Sequence, residues 1–145
     1  MICLCYYVHI VREGNDIMKS INERLADLFN TFAKEREDCK ADLFKSIERH
    51  RADSAFTESA FSALQRAESA LNAIGFVTKE WLESDEFKNL TQEQVVDMVK
   101  GYVEQDLARR EKHLFKDSLN PRNVIEASGV MEVKYALLNL LDRTK

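Results

Sequence analysis

Apolar residues recur along this chain at three- and four-residue steps, the spacing that lines one face of an α-helix. The first run is Ile21, Leu25, Leu28, Phe32, Cys39, Leu43 and Ile47, widened by Phe29 and Phe44. It lies in a stretch, Ser20 to Ala73, that holds no Gly or Pro. Ile21, Phe32 and Leu43 repeat every eleven residues, and a heptad register would put Glu35, Asp42 and Ser46 in the seam. Packing within a bundle is therefore expected rather than a long two-stranded zipper.

A second stripe runs through Phe56, Ala60, Ala63, Leu64, Ala67, Leu71 and Ile74 and is rotated from the first by a quarter turn or more. Between the two, Glu48 to Ser54 holds no large apolar residue, and Asp53 or Ser54 is placed to cap a new helix. Two helices meeting there are expected. A single helix of about 80 Å stays open, because neither cap is followed three residues on by Glu or Gln to complete a capping box. The small Ala60, Ala63, Ala67 and Ala70 suit the close approach of a partner helix.

Downstream, Gly75 is placed to end the second helix. A short helix restarting near Thr78 and carrying Trp81, Leu82 and Phe87 is expected as a lid with an acidic outer side, its aromatics plugging the core. Thr91 and Gln94 form a capping box. The helix they open presents Val95, Val99, Tyr102, Val103, Leu107 and Leu114, with Gly101 as a mark of close helix contact. Asn120-Pro121 opens a short helix ending at Ser128-Gly129, and a last helix presents Val130, Val133, Leu137, Leu138 and Leu141.

The fold expected is thus all-α: a helical bundle built on a long N-terminal helix or helical hairpin over about 19–74, with three to four further helices. Residues 18–145 form a single helical domain. Residues 1–17, containing MICLCYYVHIV, are expected to be irregular or strand-like, and Met18 is a candidate natural start with the preceding residues as an upstream extension. The apolar run is too short to span a membrane and lacks a basic leader region.

Composition narrows function more by exclusion than by indication. Four Gly and one Pro argue against a turn-rich β fold, and a net charge of −4 gives no overall nucleic-acid footprint. Three Cys, at positions 3, 5 and 39, suit free thiols in a reducing cytoplasm. No metal or cofactor is expected: paired CxxC or HxxxH ligands, phosphate-binding glycine loops, zincin and nucleophile-elbow strings are absent, and His9, His50 and His113 stand apart.

The leading expectation is a non-enzymatic protein–protein interaction or regulatory protein, partnered by another protein or by itself as a homodimer. The alternative is nucleic-acid binding through a basic stripe, Arg109, Arg110, Lys112, Lys116 and Arg122. Complementing the helix dipole is the simpler account of the charges near its end. A small helical enzyme without a recognisable motif is the second alternative. Leu138 and Leu141, in a C-terminus too apolar to lie free, are the candidate self-association residues.

Overall fold

The computed structural model describes residues 20–117 and 119–143. The expectations for residues 1–17 and for a start at Met18 lie outside them. The described residues are helical, with no strand among them. The elements are α1 (Ile21–His50), α2 (Ala55–Glu83), α3 (Asp85–Lys88), α4 (Gln92–Gly101), a π-helical segment (Tyr102–Leu107), α5 (Ala108–Phe115) and α6 (Pro121–Arg143).

The two N-terminal helices form a hairpin, and the turn explains why one long helix does not form. Arg51 closes α1 at φ 86°, a region that non-glycine residues rarely occupy. Thr57 holds that carbonyl in place: its hydroxyl donates to Arg51 O at 2.6 Å and lies 3.0 Å from Ser46 Oγ on α1. Ser54 caps α2 by accepting from the Thr57 N–H at 3.2 Å. Thr57 at the third helical position thus stands where a capping box would place Glu or Gln. The ladder that follows is antiparallel: Ser46 meets Thr57, Arg36 meets Glu68 and Phe29 reaches Gly75.

α2 does not stop at Gly75 and restart at Thr78; it runs unbroken to Glu83. No described glycine adopts the left-handed conformation that a glycine stop needs. Thr78 sits inside the helix and donates to Ile74 O at 3.0 Å. Ser84 ends α2 and caps α3 in turn, accepting from the Phe87 N–H at 3.1 Å. Phe87 is buried, and Trp81 stacks on it at 5.7 Å and meets Tyr102 edge-on at 6.0 Å. Both aromatics therefore belong to the core as expected.

The capping box at Thr91 is present in both directions, 3.2 Å and 2.9 Å. Beyond Gly101 the backbone widens into the π segment. Val95, Val99, Val103 and Leu107 are all buried at four-residue steps. In an ideal α-helix each such step drifts about 40° from the last, and the wider turn absorbs that drift. Gly101 marks no close helix contact, since nothing lies within 4 Å of where its Cβ would stand.

The glycine that does mark one is Gly129. α6 is a single helix through Ser128-Gly129, opened by Asn120 Oδ1 accepting from the Arg122 N–H at 3.1 Å. A Cβ on Gly129 would stand 2.5 Å from Arg66 O and 2.9 Å from Ser69 Cβ. Ala67, Ala70 and Ala73 of α2 and Ala127 of α6 are buried nearby, and Ser69 Oγ donates to Glu126 O at 2.7 Å. The small residues of α2 thus receive a helix of the same chain. α6 rests mainly on α2 and α5 rather than on the Ile21 to Ile47 stripe. One core gathers Ile21, Leu25, Ile74, Phe87, Val99, Val133 and Leu137 from the successive elements.

Substitution at the two glycines of the C-terminal half should act in opposite directions. Gly129→Ala should lose about 2 kcal/mol in urea unfolding by overpacking a backbone contact, whereas Gly101→Ala should gain about 0.5–1 kcal/mol through helix propensity. The buried Tyr102 phenol, which donates to Ala73 O at 2.6 Å, is pushed up to about 12, by burial first, with Arg110 opposing and Asp106 reinforcing. Its proton is held more tightly in the folded chain, so the stability it confers is complete below pH 10 and is lost as pH rises through 12. Absorbance titration of wild type against Tyr102→Phe should show one late-ionising tyrosine removed, and the variant's stability should fall less between those two pH values.

Candidate functional site

The core ends well before the hairpin does. Between residues 33 and 66 the only buried residue is Thr57, at the turn itself. Yet this distal half continues the apolar pattern: Phe44 is 57% exposed, Ile47 42%, Phe56 69% and Phe61 50%. Leu43, Leu64 and Cys39, between the two helices, are half-buried. The two helices thus cover each other along one seam and leave their large apolar side chains in water. Phe56 finds partial shelter by stacking on His50 at 4.7 Å. Exposed aromatic and aliphatic groups gathered on one element mark a contact surface.

Where this half meets the body, charges from three helices gather. Arg36 reaches Glu37 at 3.1 Å and Glu68 at 3.8 Å, and Arg66 reaches Glu132 of α6 at 3.4 Å. Burial holds the Glu132 carboxyl above its usual range, with Arg66 opposing and Glu35 reinforcing. The Cys39 thiol is likewise raised, by burial first and then by Glu35 and Asp42, against Arg66. A raised thiol is a poor nucleophile at neutral pH, so Cys39 reads as a packed apolar group.

The basic residues singled out from the sequence lie elsewhere and do not form one stripe. Arg109, Arg110, Lys112 and Lys116 are on and just after α5, with Arg110 turned toward Tyr102. Arg122, on α6, pairs with Glu126 at 3.2 Å. Lys112 and Lys116 border an open depression of about 540 Å³ together with Phe115, Glu111 and Lys134. Lys134, which sequence spacing could not bring to α5, pairs there with Glu111 at 3.4 Å. Among the described residues no group of His, Cys, Asp and Glu gathers as a metal site requires.

The two leucines also part company. Leu138 is 37% exposed, while Leu141 is 5% exposed and belongs to the core. Leu141 therefore holds α6 against the body. Changing both to Lys would break the fold before it tested a dimer. The densest exposed apolar surface is on the hairpin, and its signal is in the sequence: Phe44, Phe56 and Phe61 are more apolar surface than two helices can bury in one another. Compared with known families, with curated proteins and with solved structures, the chain matches none.

The bare half and the body should respond differently to truncation. Phe32→Ala, in the core, should cost about 3–5 kcal/mol, whereas Phe44→Ala and Phe61→Ala should each stay within about 1 kcal/mol of wild type in urea unfolding of the isolated chain at low micromolar concentration.

Proposed function

We propose that this chain is a non-enzymatic helical interaction protein, regulatory in the sense that its output is a protein contact, and that it engages its partner through the distal half of the α1–α2 hairpin. One observation carries the reading: Phe44, Phe56 and Phe61 are half or more exposed on a segment from which the core is absent. Large apolar side chains in water gain about 25 cal/mol per Å² when a partner covers them. They do little for the chain's own fold, so the surface is explained by what docks on it. No helix among the described residues is long and apolar enough to cross a membrane. The half-buried Cys39 thiol suits a reducing compartment such as the cytoplasm.

A nucleic-acid reading draws on the depression at α5, where Lys112, Lys116 and Lys134 surround the half-exposed Phe115. Its charge is the weaker support, because Lys134 is engaged by Glu111.

The two separate in native extracts. With the chain tagged in its own cell, size-exclusion chromatography should place wild type in an assembly well above the 16.8 kDa of one chain. Phe44→Glu with Phe61→Glu should return it to monomer size with unchanged helical circular dichroism. A wild type at monomer size, or an assembly that survives the double substitution, overturns the proposal. An assembly dissolved by nuclease and by Arg109→Glu with Arg110→Glu moves the reading to nucleic acid.

A further inference from the structure

The hairpin's two helices stand level with one another in a fixed ladder, seen directly where Phe29 meets Gly75, Arg36 meets Glu68 and Ser46 meets Thr57. The same ladder sets Phe44 level with Phe61. At about 100° per residue, Phe44 and Ile47 of α1 and Phe61 of α2 fall on one flank of the hairpin, with Arg36 and Glu68 at its edge. The opposite flank is the one from which α2 turns Ala67, Ala70 and Ile74 toward the body. Phe56 lies toward that side, apart from the flank that carries Phe44.

We infer that the occupant of the Phe44, Ile47 and Phe61 flank is a second copy of this chain, related by a two-fold axis running along the hairpin. The inference rests on the interaction reading above and names its partner. Rotation about such an axis lays α1 of each copy over α2 of the other, level for level. Each level must then be complementary between the two helices of a single hairpin. At the aromatic level, Phe44 of each copy meets Phe61 of the other, bringing four rings together, an arrangement that aromatic pairs favour. At the charged level, Arg36 of each copy meets Glu68 of the other. The flank is its own complement in both shape of contact and sign of charge, which an unrelated partner would not require.

Size agrees with this. From residue 33 to the turn α1 extends about 27 Å, and two helices side by side are about 20 Å wide. The flank of each copy offers a footprint of about 500 Å², or about 1,000 Å² for the pair, at the threshold of a specific interface. The body helices sit on the other flank and do not obstruct the approach. A closed two-fold contact of this kind leaves no free copy of the patch to propagate.

The test uses purified full chain and two charge reversals, each of which is mismatched with itself and matched with the other. In a dimer of Arg36→Glu chains, the introduced carboxylate would face Glu68 twice; in a dimer of Glu68→Arg chains, the introduced guanidinium would face Arg36 twice. In the mixed dimer both inter-chain pairs are opposite in sign again, while the pair within each hairpin stays repulsive. Sedimentation equilibrium should find wild type dimeric at about 100 μM, each variant alone weakened about tenfold, and an equal mixture restored. Circular dichroism should show all of them equally helical.

A role confined to the fold would leave the mixture no better than its parts. That result, or a wild type monomeric at this concentration, overturns the inference. If wild type is monomeric alone yet assembled in native extracts through Phe44 and Phe61, the interaction reading stands and its partner is a different protein.

Discussion

The contact on which the body depends is the approach of α6 to the backbone of α2, where Gly129 lies against Arg66 O and the Ser69 and Ala70 positions. Two helices come this close only when small residues line both sides, here the alanines of α2 and Gly129 with Ala127. Everything apolar further along α6, from Val130 to Leu141, is delivered to the core from that crossing. The hydrogen bond from Ser69 to Glu126 O fixes the register of the crossing, and Tyr102 ties the π segment to the same helix through Ala73 O. α2 is thus the element at which the hairpin, the π segment and α6 meet.

That arrangement divides the hairpin into halves with different physics. The half near Ile21 and Ile74 is stabilised by burial in a shared core. The half near the turn rests on one seam between two helices, on the cap at Ser54 and on the Thr57 hydroxyl beneath Arg51. Local opening costs less where fewer apolar contacts must break, so the end that carries the exposed rings is also the end free to adjust to what meets it.

Much of the fold is legible in three- and four-residue spacing. Both stripes, the hairpin break, the capping box at Thr91 and the buried positions of α4 can be read because each depends on neighbours in sequence. Glycine is where that reading fails. Gly75, Gly101 and Gly129 look alike in sequence, and their flanking residues suggest a stop, a close contact and a second stop. In the structure Gly75 continues a helix, Gly101 faces open space and Gly129 marks the close contact. Which role a glycine has depends on what packs against it, a non-local fact. The same limit applies to the candidate site. The basic residues are visible as a cluster in sequence, but the pairing of Lys134 with Glu111 joins separate helices. Leu138 and Leu141 stand about one turn apart yet differ in exposure because the stripe of α6 drifts across its neighbours.

The π segment has a consequence for how this chain tolerates change in length. A wide turn of this kind holds one residue more than an α-helix would need to cover the same rise. Deleting a single residue within Tyr102–Leu107 would let the backbone wind as ordinary α-helix while turning everything after it by about 100° about the helix axis. Leu107 and the inner side of α5 would leave the core, and Lys112 and Lys116 would rotate away from Lys134. The extra residue is therefore a phase setting: it keeps two helical stretches facing the same neighbour, and a change in chain length there would alter orientation where a change in a loop would alter only reach.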